Sequence, residues 1–217
     1  MSLQSSSAPY TKAKIAGILA ETGRIFASLQ ATLKGISHPV IVISSAAAKE
    51  GKSTFTAGLG IVAARNLKEK VLLIDCHWHA PSLHTFFEIS TNFNLEKSLL
   101  DDNLREQVIA TPYANLDLLP APSYLEKPEA TKNALATIKK LRNDYALTIV
   151  DSAAILSANR NMVDPIALAA EADGLALAVL ANRTPRQMIK KAQTMLEVSG
   201  SRVLGLIINQ YCNPLAT

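Results

Sequence analysis

Cysteine and aromatic residues are scarce in this 217-residue chain. Its only cysteines are Cys76 and Cys212, too few for a disulfide framework, so the fold should rest on a buried core in a reducing compartment. Aromatic residues make up 5% of the chain. Ala, Leu, Ile and Val supply most of the apolar mass, which suits helices on a parallel sheet better than a β-sandwich. No apolar run reaches the ~18 residues of a membrane span, because Glu171 and Asp173 interrupt the longest candidate. The opening residues Met1 to Ser7 lack the charged-then-apolar order of a secretion signal. Internal repeats and low-complexity linkers are also missing. These absences give the expectation of a cytoplasmic protein with one domain over residues 11–217 and a flexible tail over 1–10.

What is present is apolar side chain, 48% of the residues, enough for a sizeable core. The net charge is 22 − 18 = +4. Most of the surplus falls early, where Lys12, Lys14, Arg24 and Lys34 face only Glu21. So mild a basicity permits contact with nucleic acid or an anionic membrane without demanding either.

Periodicity organises the rest. Ile15, Ile18, Leu19, Ile25, Phe26, Leu29 and Leu33 recur at helical spacing and predict an amphipathic helix from Lys12 to Leu33. Short apolar runs predict strands at 40–43, 71–75, 116–119, 147–151, 175–180 and 203–208. Helical patterns cover 53–66, 130–142, 164–171 and 185–198. Fully apolar strands alternating with helices indicate an α/β fold, a mostly parallel sheet flanked by helices on both faces.

The strand at 40–43 runs through Ser44, Ser45, Ala46, Ala47, Ala48, Lys49 and Glu50 into Gly51-Lys52-Ser53-Thr54, where a helix begins. This is the ending of a phosphate-binding loop of the form G-x-x-x-x-G-K-[ST], with Ala46 in place of the first glycine. Backbone N–H groups of Ala48, Lys49, Glu50, Gly51, Lys52, Ser53 and Thr54 can point at phosphates. Lys52 brings a cation to the β- and γ-phosphates, and the Ser53 hydroxyl can ligate Mg²⁺. Asp75 and Asp151 end two other apolar strands, where ligands of open α/β sheets collect, and supply carboxylates for Mg²⁺.

These motifs, with Pro81 to His84, Asn115 to Ala121, Thr148 to Ser152, Asp173-Gly174 and Leu204 to Asn209, resemble the cytoplasmic domains of bacterial tyrosine kinases of exopolysaccharide and capsule export. The resemblance spans roughly residues 15–211 and extends to the chromosome-partitioning and division-site ATPases. It implies a P-loop fold with a deviant Walker A-type loop binding ATP or ADP with Mg²⁺. Lys52 and Ser53 would hold phosphates and metal, Asp75 and Asp151 would act at the metal, with Lys52 and Asp75 catalytic, and Asn209 would sit near the adenine. It also implies a membrane-embedded polysaccharide co-polymerase as activating partner, recruitment to the inner face of the membrane, and rings of copies joined through Glu21 and Arg24 on the first helix.

The chain departs from that family in four places. Asp75-Cys76-His77 stands where the family reads Asp-x-Asp, so a carboxylate is replaced by an imidazole, a poor ligand for a hard cation. His79 and Ala80 stand at positions that are usually basic. Ala27 ends the contact motif begun by Glu21 and Arg24 in place of arginine. Only Tyr211 lies near the C-terminus, where the family carries a tyrosine cluster. His77 and His79 share one side of an extended strand and suggest zinc with His84 or Cys76, but Cys76 points the other way and a fourth ligand is lacking. Arg183 and Arg186 either approach nucleotide or a neighbouring subunit, or belong to a solvated helix start with Thr184 as cap and Pro185 in the first turn.

Three functions compete: an active tyrosine kinase, a regulatory or assembly ATPase-like module of the same export machinery, and a DNA-partitioning ATPase. Ala47 stands where the last would carry its extra lysine, which argues against nucleic acid. His77 and the missing tyrosine cluster favour the second.

Overall fold

The computed structural model describes residues 12–90, 92, 94–100, 102–123, 129–157 and 162–210, with side chains from residue 21 onward apart from that of residue 96. The expected 1–10 tail, Tyr211 and Cys212 lie outside the described residues.

Seven strands form one sheet: β1 Val40–Ser45, β2 Val71–Asp75, β3 Ile109–Ala110, β4 Leu116–Leu119, β5 Leu147–Ala154, β6 Gly174–Leu180 and β7 Val203–Asn209. Their order is β3-β4-β2-β5-β1-β6-β7. Every pairing is parallel except that of β3 with β4. The predicted strands are all present, several of them longer. Two-residue β3 is new, too short for any period to show.

The helices are α1 Lys12–Thr32, α2 Lys52–Asn66, α3 Leu83–Phe86, α4 Leu95–Leu100, α5 Ala130–Leu141, α6 Pro165–Glu171 and α7 Arg186–Val198. The sequence pattern anticipates all but α3 and α4, each shorter than two turns. No described helix is long and apolar enough to cross a membrane.

Alternation along the strands divides the core between the two sheet faces. Ile41, Ile43, Leu73 and Ile149 pack under α1 and α2 with Phe26, Leu29, Leu33 and Leu59. Val40, Val42, Leu72, Ile74 and Val150 pack under α5, α6 and α7 with Ile138, Leu168 and Leu196. Each fully buried Leu or Ile contributes roughly 1.5–3 kcal/mol, so central strands closed on both faces dominate stability. A Cβ at Gly60 would stand 2.8 Å from Leu73 Cδ2, so its absence lets α2 lie close on β2. On α1, Glu21, Arg24 and Ala27 are exposed while Thr22 and Phe26 turn inward.

Because β1 lies between β5 and β6, the chain leaves it in one direction toward β2 and later returns on its other side. The loop after β1 therefore opens at the switch point of the sheet, where α/β folds form their ligand crevice.

Candidate nucleotide site

The loop after β1 is shaped by its own hydrogen bonds. Ser45 Oγ donates to Ala47 O at 2.6 Å and Leu156 N donates to Ala46 O at 3.2 Å. Lys49 and Gly51 take left-handed backbone angles, φ 65° and 82°. A Cβ at Gly51 would collide with the side-chain amide of Asn209, at the end of β7. That amide donates to Glu50 O at 3.1 Å. Asn209, expected beside adenine, braces the phosphate loop by this contact.

Lys52 is the first residue of α2 and only 5% exposed. Burial pulls its pKa down, while Asp151, Asp75 and Glu50 pull it back up. The predicted carboxylates do converge: Asp75 and Asp151 are register partners on β2 and β5 and both are buried. Their environments differ.

Asp75 accepts three backbone N–H groups, from His77 to Oδ1 at 3.0 Å and from Ser82 and Leu83 to Oδ2 at 3.1 and 3.3 Å. It closes the 76–82 loop and satisfies N–H groups at the start of α3, a structural duty the sequence pattern did not reveal. Burial nonetheless raises its pKa, with those backbone donors opposing.

Asp151 is completely buried, and neither carboxylate oxygen makes a well-formed hydrogen bond among the described residues. Burial first and then the Asp75 charge push its pKa up to about 7, while Lys52 and the nearby Ser53 hydroxyl hold it down. A buried carboxylate with so little hydrogen bonding is costly unless a cation completes it. Its two open oxygens beside Ser53 suit a hard divalent ion that binds oxygen.

His77 is half-buried and faces the lysine. Lys52 Nζ donates to its Nδ1 at 3.4 Å, which assigns the ring proton to Nε2. Burial, then the Lys52 and His79 charges, lower its pKa to about 4, so the ring is neutral at pH 7. Trp78 packs against the core, and its Nε1 donates to Asp75 O at 2.9 Å. Among the described residues no group of three or more His, Cys, Asp or Glu side chains is gathered around a metal position.

Thr184 departs from expectation. It does not cap α7, which starts after Pro185 without a side-chain cap. Its Oγ1 accepts from Leu180 N at 2.9 Å and donates to Glu50 Oε1. Sequence reasoning counted Glu50 only for its backbone. The clue was an acidic side chain on a loop built for anions.

No protein-family model matches the chain. The tyrosine-protein kinase YwqD of Bacillus subtilis strain 168 is 31% identical over 189 residues, covering 85% of this chain and 75% of that protein. The chain belongs to the bacterial tyrosine-protein kinase family. The succinoglycan biosynthesis transport protein ExoP of Rhizobium meliloti strain 1021 is 28% identical over 185 residues, 82% of this chain but only 23% of that protein. In fold, the kinase domain of the Escherichia coli tyrosine kinase ETK matches with TM-score 0.79 at 17% identity, over 100% of this chain and 87% of that one. The septum site-determining protein MinD of Pyrococcus horikoshii, solved with Mg-ADP, matches with TM-score 0.64 at 22% identity, over 80% and 70%. The family and P-loop fold expected from the motifs are both found, and relatives include a succinoglycan biosynthesis transport protein.

Proposed function

We propose that this member of the family binds ATP or ADP with Mg²⁺ and serves as a regulatory or assembly module of polysaccharide chain-length control and export, with weak or absent tyrosine phosphorylation. The observation that carries nucleotide binding is the meeting of Lys52, Asp75 and buried Asp151 at the mouth of the loop closed by Gly51. Ser53 and Asp151 would hold the metal, directly or through its waters, with Asp75 beside them. Bound Mg²⁺ would supply charge neutralisation for the β- and γ-phosphates. Lys52 would leave His77 for the phosphates, and backbone N–H groups from Ala48 to Thr54 would orient them.

Weak transfer is argued from His77. A tyrosine hydroxyl needs a proton acceptor, and the one lone pair of this neutral ring is turned to Lys52. An active kinase remains the second reading, favoured by the 31% identity to YwqD.

The name of ExoP, of which this chain spans a small part, supports a membrane-embedded co-polymerase as partner at the inner face of the membrane. The basic early residues suit that setting better than nucleic acid. The exposed Glu21–Arg24 face of α1 supports contact between copies.

Calorimetry with Mg·ADP and Mg·ATP tests the binding. Absence of nucleotide affinity in the unmodified chain sinks the phosphate-loop reading. Radiolabelled ATP tests the chemistry: strong phosphotyrosine formation by the purified protein would favour the active kinase.

A further inference from the structure

A negative charge inside a phosphate-binding loop works against its ligand, yet Glu50 is 3% exposed and faces inward. Its carboxylate is fully engaged. Oε2 accepts from Ala47 N at 2.8 Å, spanning the loop from inside, and Oε1 accepts from Thr184 Oγ1. Its backbone carbonyl accepts from Asn209 Nδ2 at 3.1 Å. Thr184 is itself fixed to the end of β6, its N–H donating to Leu180 O at 2.9 Å and its hydroxyl accepting from Leu180 N at 2.9 Å. Ala181 N donates to Asn209 O at 2.8 Å and joins the ends of β6 and β7. The loop is thus clasped by two strand ends that contribute no residue to the G-x-x-x-x-G-K-[ST] pattern.

We propose that Glu50 and Thr184 are positioning residues that preorganise the phosphate loop for a nucleoside di- or triphosphate and make nucleotide affinity depend on the β6–α7 connection. This rests on the nucleotide-binding reading above and adds the device that shapes the loop. The carboxylate spans the loop although its charge repels phosphate, because its two oxygens accept from Ala47 N–H and from the Thr184 hydroxyl at once. Preformed N–H groups need no ordering when the ligand arrives, and that saving appears as affinity. The connection held in this way carries Asn182 and Arg183 and leads into Arg186 at the start of α7, so a partner that pulls Thr184 away would loosen the loop from a distance.

Charge and shape make opposite demands, which gives a test with signs. Mg·ADP affinity is measured by calorimetry on the full chain, with thermal melting of each ligand-free variant. Glu50→Ala removes the repulsive charge and the clasp together, and we expect affinity to fall about tenfold. Glu50→Gln keeps both arms, with its carbonyl accepting from Ala47 and its amide donating to Thr184 Oγ1, and removes only the charge, so affinity should rise about threefold. Thr184→Val should weaken binding severalfold and Thr184→Ser restore it. The Glu50→Ala/Thr184→Val double variant should bind no worse than Glu50→Ala alone.

Glu50→Ala binding as tightly as the unmodified chain, or more tightly, overturns the clasp, as does simple additivity in the double variant. Should Glu50→Ala fail to fold, the Val and Ser variants of Thr184 decide it, equal affinity in both overturning the proposal. Failure of the unmodified chain to bind Mg·ADP overturns the nucleotide reading and the clasp with it. Normal binding by that chain with insensitive variants overturns the clasp alone.

Discussion

Lys52 Nζ and His77 Nδ1 stand 3.4 Å apart, with the imidazole held neutral by burial and by the ammonium it faces. The family resemblance leads one to expect a carboxylate there. A carboxylate would attract Lys52 and offer a proton acceptor, whereas the imidazole accepts one weak hydrogen bond from it. His77→Asp should therefore raise ATP turnover by about tenfold or more, the lower bound lying below the full ~100-fold or greater effect of a well-placed general base. The added charge would crowd Asp75, Asp151 and Glu50 and lower ligand-free stability by about 1–3 kcal/mol. ADP release and chemical denaturation measure the two effects, and unchanged or slower turnover would count against the role assigned to this position.

Lys52 is a cation set among those three buried carboxylates. Lys52→Met keeps the apolar stem and removes the charge. Nucleotide affinity should fall at least 100-fold, about 2.7 kcal/mol. Titration calorimetry reads the loss, and retained affinity would show that phosphates bind elsewhere.

Asp151 supplies a pH dependence. Its pKa is raised to about 7 from an ordinary 3.8, so the folded protein holds this proton more tightly than the unfolded chain does. The group favours folding below about pH 4. That contribution is lost as pH rises to about 7, above which the charged form is a constant burden. Asp151→Asn should accordingly melt higher than the unmodified protein at pH 8 without ligand, by a gain on the order of 2 kcal/mol, and the difference should vanish near pH 4. The variant should lose the stabilisation that Mg²⁺ with ADP gives the unmodified chain. A melting difference that does not change with pH would contradict this account.

Lys49 is exposed and left-handed, φ 65°, a conformation costing roughly 1–2 kcal/mol for a residue with a Cβ. Lys49→Gly relieves that strain and gives back part of the gain as unfolded-state entropy, leaving about 0.5–1 kcal/mol of net stabilisation. Lys49→Ala keeps the strain and should gain nothing. Equal denaturation midpoints for the two would show that the loop relaxes around this residue.

The predicted strands and long helices were legible because strands covered on both faces read as short apolar runs, while helices repeat apolar side chains at 3.6 residues. Lys52 and Asp75 were legible because a strand end followed by a loop is where this fold exposes chemistry, whereas Asp151, expected to end its strand, lies inside β5, which runs on to Ala154. What escaped has no period. Asp75 reaching the backbone of Ser82 and Leu83, Glu50 reaching Ala47 and Thr184, and Asn209 lying over Gly51 are contacts across turns or between distant strands. A threonine before a proline at a helix start suggests a cap as one of two alternatives, and local sequence cannot show that Glu50, 134 residues earlier, lies within reach of its hydroxyl.

The central position of β1 also orders events in time. Its neighbours are β5 at 147–154 and β6 at 174–180, both made long after β1 itself. During synthesis, the phosphate loop therefore leaves the ribosome more than a hundred residues before either flanking strand exists to shape it. Until then the apolar run Val40 to Ile43 is an open strand edge, of the kind that invites wrong partners. Nucleotide, by binding only the finished loop, would act last as a latch on a sheet whose middle strand was made first.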